Sequence, residues 1–259
     1  MQAVGYADVD YLRVAAELFK PVKDLSYKLM QVQAGQCVLD VGCGPGTDTI
    51  PLGRLVGSDG RVVGIDYDAD MVATANQRAA HAGIGDFVKH YQGSASALDQ
   101  ETNTFDSCRA ERVFLHLQQP ERVLAEMFRV TKPGGAIVVA ETDFGTLSFD
   151  TDHIETERCL VRVRTEHLFN NGYAGRRLYR LFNECGLVDV TVKMRPFHIT
   201  DVHFMRFITG LYDVERKAVE MGRVSEEAIE DWRAEQFLAH EKGIFFASAS
   251  VVMVVGFKP

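Results

Sequence analysis

Ten residues, Cys37-Val-Leu-Asp-Val-Gly-Cys-Gly-Pro-Gly46, constrain the fold more than any other stretch of this chain. Cys37, Val38, Leu39 and Val41 suit a strand buried on both faces of a parallel sheet. Gly42, Gly44 and Gly46 then permit backbone angles that a Cβ forbids, and they let a ligand approach the main chain. Thr47 and the residues after it can open a helix whose unpaired N–H groups point back at that ligand. Strand, glycine turn and helix start together make a nucleotide-type pocket, although a tight structural turn would use the same glycines.

The spacing narrows the ligand. A dinucleotide loop reads G-x-G-x-x-G, its wider last step holding a pyrophosphate on the helix end. Here the last step is tighter, and Asp40 sits in the strand end. Arg61-Val-Val-Gly-Ile-Asp66 reads as a second strand, and Asp66 lies 20 residues beyond Gly46. A carboxylate at that tip can accept both hydroxyls of a ribose. It could also cap the helix predicted from near Ala69, though Asp68 can fill that role. Tyr67 and Met71 either cover a base or simply pack. Third and fourth strands are expected over 87–93 and 104–110, the latter ending at Glu111. Pro120 opens a helix with a buried stripe of Leu124, Met127, Phe128 and Val130. Thr131-Lys-Pro-Gly-Gly135 closes it, and 136–141 forms a fifth strand.

Asp40-x-Gly42-x-Gly44-x-Gly46 resembles motif I of the class I S-adenosylmethionine (SAM) methyltransferases. The series His116-Leu117, Pro120-Glu121 and Lys132-Pro-Gly-Gly135 is similar to their ubiquinone/menaquinone-biosynthesis (UbiE-like) branch. The likeness covers about residues 30 to 141. It implies an α/β fold, a Rossmann-like, seven-stranded, mostly parallel sheet with helices on both faces. The last strand is antiparallel, beside the sixth, and a helical cap completes the fold. The resemblance also implies SAM as cofactor, released as S-adenosylhomocysteine. Asp40, Gly42, Gly44 and Gly46 would hold its amino-acid half and Asp66 its ribose. Gly93, Ser94 and Ala95 would flank the adenine, with Glu111 at the fourth strand tip, while Tyr67 and Met71 beside Asp66 either join them or pack. Ser94 departs from the aspartate of many members, and a hydroxyl makes a weaker hydrogen bond than a carboxylate.

Strand–helix alternation places the ligand beyond the carboxyl ends of the strands. Gly42, Asp66, Ser94, Glu111 and Glu141 are thus expected on one rim. A helix within 172–186 carries Leu178, Leu181 and Phe182; a sixth strand spans 187–193 and the last falls in 244–257. This divides the chain into a helical cap segment (1–34, with Tyr6, Tyr11, Phe19 and Tyr27), a SAM-binding core (35–141), a cap insertion (142–172) and the rest of the core (173–259), with a helical insertion at about 198–240. Phe204, Met205, Phe207, Tyr212 and Trp232 could line an acceptor pocket for an aromatic or apolar metabolite, or pack between helices. His116, His167 and Glu111 are the catalytic candidates, with His116 also readable as structural.

The formal net charge is −8. Arg158, Arg162, Arg164, Arg176, Arg177 and Arg180 cluster, but Asp150, Asp152, Glu155, Glu157 and Glu166 are interleaved. A solvated helix face is expected there, not a nucleic-acid stripe. The Asn/Asp-Pro-Pro-Tyr/Phe tetrapeptide of base-methylating enzymes is replaced by Ala110-Glu-Arg-Val113. No apolar run reaches the roughly 20 residues of a membrane span, and no leader is recognisable. Five cysteines without a C-x-x-C pair suit free thiols in a reducing cytoplasm, and metal-ligand spacing is absent. The expectation is methyl transfer to a small molecule, with a homodimer left open. Alternatives are a SAM-binding protein with another reaction or none, and a nicotinamide-dependent oxidoreductase.

Overall fold

The computed structural model describes residues 17–259; the expectations for Tyr6 and Tyr11 lie outside them. The chain runs α1 (Lys20–Leu29), β1 (Cys37–Val41), α2 (Thr49–Val56), β2 (Arg61–Asp66), α3 (Ala69–His81), β3 (Val88–Gln92) and β4 (Phe105–Glu111). A 3-10 turn (Phe114–His116), α4 (Pro120–Val130), β5 (Thr131–Phe149), α5 (Ile154–His167) and α6 (Ala174–Glu184) follow. The last elements are β6 (Val188–Ile199), α7 (Val202–Thr209), α8 (Leu211–Glu220), α9 (Glu226–Glu241) and β7 (Ala247–Phe257). The sheet order is β3-β2-β1-β4-β5-β7-β6. Pairings from β3 through β5 are parallel, and β7 is antiparallel to both of its neighbours.

Apolar runs make this sheet because consecutive strand residues point to opposite faces and both faces are covered. Val38, Val62, Val138 and Val251 pack into one core; Leu39, Val63, Val139 and Val252 pack into the other. The order reverses between β1 and β4, so the crevice opens beyond their carboxyl ends.

Two strands are longer than the sequence suggests. β5 continues from Glu141 to Phe149, and β6 continues to Ile199. Eight residues assigned to a cap insertion at 142 therefore belong to the sheet, and the insertion proper begins after Phe149. Polar Thr142 and Asp143 hid this extension, yet both are buried. Asp143 accepts two hydrogen bonds from Arg176, at 2.7 and 3.0 Å. β7 pairs with both extensions, Phe149 and Ile199 each opposite Ala247. The chain leaving α4 is already extended at Thr131, whose hydroxyl donates to the Met127 carbonyl at 2.6 Å. The Pro-Gly-Gly turn thus lies within β5.

The arginine cluster also divides. Arg158, Arg162, Arg176, Arg177 and Arg180 are exposed as expected, but Arg164 is only 5% exposed. α5 turns one face inward, and Arg164 shares it with Leu160 and Val161.

Candidate functional site

A cavity of about 830 Å³ lies at the carboxyl ends of β1, β2 and β4. Gly42 leaves β1 at φ +70°, where its amide donates to the Ile65 carbonyl at 2.7 Å. A Cβ there would come within 2.3 Å of Val113 Cγ2, so only glycine fits. Gly44 has open space where a Cβ would stand, and its amide donates to Asp66 Oδ2 at 2.8 Å. Asp66 Oδ1 accepts from the Asp68 amide at 3.0 Å. The helix cap falls to Asp68, which accepts from the amides of Asp70 and Met71. Asp66 is thereby left at the β2 tip, half-buried on the cavity wall.

Gly42, Gly44, Asp66, Tyr67, Met71, Gly93, Ser94, Ala95, Glu111 and His116 all line the cavity. Three expected residues do not. Gly46 turns toward α3, where a Cβ would meet Ala75 at 3.1 Å. Asp40 is buried against Arg109 at 3.2 Å. His167 is exposed at the end of α5. Ser94 Oγ contacts Ser96 Oγ at 2.9 Å, so the hydroxyl is shared with its own turn. Glu141 is also withdrawn from the rim. It is fully buried, and its Oε1 accepts from the Phe114 amide at 2.6 Å.

The sequence reading missed a buried ion network beneath the motif loop. Lys23 Nζ donates to Asp48 at 2.8 Å and to Glu111 at 2.6 Å. Arg109 reaches Asp40 at 3.2 Å, Asp48 at 3.1 Å and Glu111 at 2.6 Å. The Tyr27 hydroxyl donates to Asp48 at 2.5 Å. Two cations thus serve three acids. Burial pushes the Asp40 carboxyl up to about 7, against the pull of Arg109. Burial would raise Asp48 too, but Arg109 and Lys23 more than offset it and hold it below the usual range. Both Glu111 oxygens are engaged by cations, so it positions Lys23 and is poorly placed to act as a base. A lysine on the apolar face of α1, beside Val22 and Ser26, and an arginine inside a buried strand were the available signals.

Burial, with Arg112 adding to it, lowers His116, which is therefore neutral at neutral pH. Its ring stands edge-on to Phe169 at 5.8 Å. Its turn is held by Asn170 donating to the His116 carbonyl at 2.7 Å and by Asn171 donating to the Phe114 carbonyl at 3.3 Å. Glu141 braces the same turn from below. Burial raises Glu141 to about 8, although the Phe114 and Leu115 amides oppose the shift. The folded state therefore holds a proton there that the unfolded chain releases near 4.5. Stability from this group is full below the unfolded value and falls as pH rises towards 8. Between about pH 6 and about pH 9, wild type is expected to lose on the order of 2 kcal/mol more than Glu141→Gln. Urea titrations at the two pH values check this, and parallel losses would refute it.

The glycine loop, the acidic β2 tip and the crevice at the reversed strand order define a nucleotide-type ligand pocket on a Rossmann-like sheet. A family model described as a methyltransferase domain matches residues 33–186. The chain belongs to this methyltransferase family, in its UbiE-like class I branch, whose methyl donor is SAM. It is 32% identical over 251 residues to an uncharacterized 37.1 kDa protein in transposon TN4556 of Streptomyces fradiae, covering 96% of this chain and 70% of that one. It is 39% identical over 120 residues to demethylmenaquinone methyltransferase of Shouchella clausii, covering 46% of this chain and 51% of that enzyme. The chain thus spans about half the length of that relative. The YcgJ protein of Bacillus subtilis shares the fold, with a TM-score of 0.67 at 18% identity, covering 92% of this chain and 98% of that one. Family membership displaces the oxidoreductase alternative. No helix among the described residues is long and apolar enough to cross a membrane.

Proposed function

We propose that the chain methylates a small aromatic or apolar acceptor, held in the same cavity as the donor. The observation that carries this reading is continuity. The Gly42–Gly44 loop and Asp66 open into the space that Leu147, Leu168, Phe169, Phe197 and Met205 wall with apolar side chains. The strand extensions supply Thr142, Phe144, Leu147 and Phe197 to that wall, and β7 adds Ala249. A largely apolar chamber with few polar groups suits a small hydrophobic ligand.

The residues present fit the donor. The open side of Gly44 allows close backbone approach, and Asp66 would hold the ribose. Bound SAM supplies the methyl group and leaves as a neutral thioether, so no acid is needed. The chain aligns the acceptor and excludes water. For an acceptor hydroxyl, neutral His116 can take the proton. A reducing cytoplasm suits the five free thiols.

Calorimetric titration with S-adenosylhomocysteine tests the donor site. Asp66→Ala is expected to weaken binding by about tenfold or more, the loss of charged hydrogen bonds to the ribose. Equal affinity in variant and wild type would overturn the reading.

A further inference from the structure

Arg112 stands in the left-handed region of backbone space, at φ 56°, which a residue with a Cβ seldom adopts. Strain of this kind persists where the surroundings enforce it, and it concentrates at ligand sites. Here the Arg112 amide donates to the Ala140 carbonyl at 2.9 Å, tying the β4 tip to β5. The side chain lines the cavity and is 21% exposed. Its Cζ lies 5.2 Å from the centroid of Phe19, just before α1. Phe19 in turn stands edge-on to Phe197 of β6 at 5.3 Å. An aromatic face fixes a guanidinium without consuming its N–H donors.

The nearest acid takes little of that charge. Glu111 Oε1 is 3.8 Å from Arg112 Nε, too far for a hydrogen bond, and it already accepts from Lys23 at 2.6 Å. Arg112 Nε makes no hydrogen bond. Two further polar groups share this rim. Thr142 lies two residues beyond Ala140, on the same face of β5, buried and lining the cavity. His116 comes from the turn that follows Arg112, and burial together with the Arg112 charge keeps its ring neutral. A neutral imidazole offers a lone pair to the proton of a hydroxyl, whereas a carboxylate brings no proton to it.

We propose that the acceptor carries an acidic hydroxyl, of the phenol or enol type, and that Arg112 holds its oxygen as the anion, an inference that rests on methyl transfer in this cavity. The hydroxyl proton passes to solvent by way of His116. The guanidinium stays as the fixed counter-charge, aimed before the anion forms and so needing no reorganisation. Arg112 thereby determines specificity: it favours acceptors that ionise where they bind and disfavours cationic ones.

The probe that tests this is 4-nitrophenol, whose phenolate absorbs visible light, titrated across pH with protein saturated with S-adenosylhomocysteine. In wild type the bound probe is expected to ionise with a midpoint about one pH unit or more below that of free probe, a tenfold or greater preference for the anion. Arg112→Gln is expected to abolish the shift while S-adenosylhomocysteine binds as in wild type. Arg112→Lys keeps part of the shift, and Arg180→Gln, at a side chain 70% exposed, keeps all of it. At neutral pH, 4-nitrobenzoate is expected to bind about tenfold or more weakly than 4-nitrophenol. An unshifted midpoint in wild type, as when the donor's own carboxylate occupies Arg112, overturns the proposal. So do undetectable binding of 4-nitrophenol, equal or tighter binding of 4-nitrobenzoate, and a shift that survives in Arg112→Gln. Failure of wild type to bind S-adenosylhomocysteine would instead remove the methyl-transfer reading beneath it, and that outcome is scored separately, before probe is added.

Discussion

Replacing Arg109 with methionine is expected to lower the free energy of unfolding by about 3–5 kcal/mol, the usual cost of stripping one partner from a buried ion pair. Arg109 is 1% exposed at the centre of β4, and it contacts Asp40, Asp48 and Glu111 together. Its guanidinium also lies 5.5 Å from the Tyr27 ring centroid. Without it, three carboxylates face Lys23 alone. Asp40 would take up a proton, as its elevated ionisation already favours. Asp48 would lose the first of the two cations that hold its carboxyl down. Asp40→Asn by itself is expected to cost less, because Arg109 keeps Asp48 and Glu111 as partners. Combining it with Arg109→Met should return part of the lost stability, since the two residues touch and their effects couple. Urea unfolding at neutral pH measures all three variants. A loss below about 1 kcal/mol for Arg109→Met would be no more than a surface pair is worth, and would show that the network contributes little.

Gly42→Ala is expected to weaken S-adenosylhomocysteine binding about a hundredfold and to destabilise the fold by about 2–3 kcal/mol, through strain and overpacking combined. The backbone there has φ +70°, and the added methyl would overlap Val113 Cγ2 at 2.3 Å. Either the glycine loop or the segment carrying Arg112, Val113 and His116 must then shift. That segment has little freedom: Arg112 is itself left-handed at φ 56°, with its amide on the Ala140 carbonyl at 2.9 Å. Val113→Ala in the same chain removes the overlapping methyl but leaves the strained backbone. The double variant is therefore expected to recover part of the affinity and not all of it. Full recovery would show that the backbone angle is unimportant; no recovery would show that the overlap is.

The glycine end of the cavity was legible because its residues are neighbours in the chain. Gly42 and Gly44 follow a strand directly, Asp66 ends the next strand, and such local order survives folding unchanged. Gly46 was legible as a glycine but not in its role, since only the approach of Ala75 shows that it faces α3. Glu141 was placed on the rim by counting along β5, yet the turn above it draws its carboxylate down onto the Phe114 amide. The cap boundary at 142 failed for a related reason. Thr142 and Asp143 look like a loop until Arg176, 33 residues on, is seen to bind Asp143.

What the sequence determined by itself is the sheet and the donor: apolar runs that must be covered on both faces, and a glycine loop followed by an acidic strand tip. These depend on backbone periodicity and on residues a few positions apart. The tertiary structure alone decided which charges are buried and which of them line the cavity. Lys23, Asp48, Arg109 and Glu111 meet across 88 residues, and Arg164 turns inward because Phe144 and Phe169 are brought to it. A charged side chain in a linear pattern reads as solvated, since water is its cheapest partner. Only the packed chain reveals the partners that replace water.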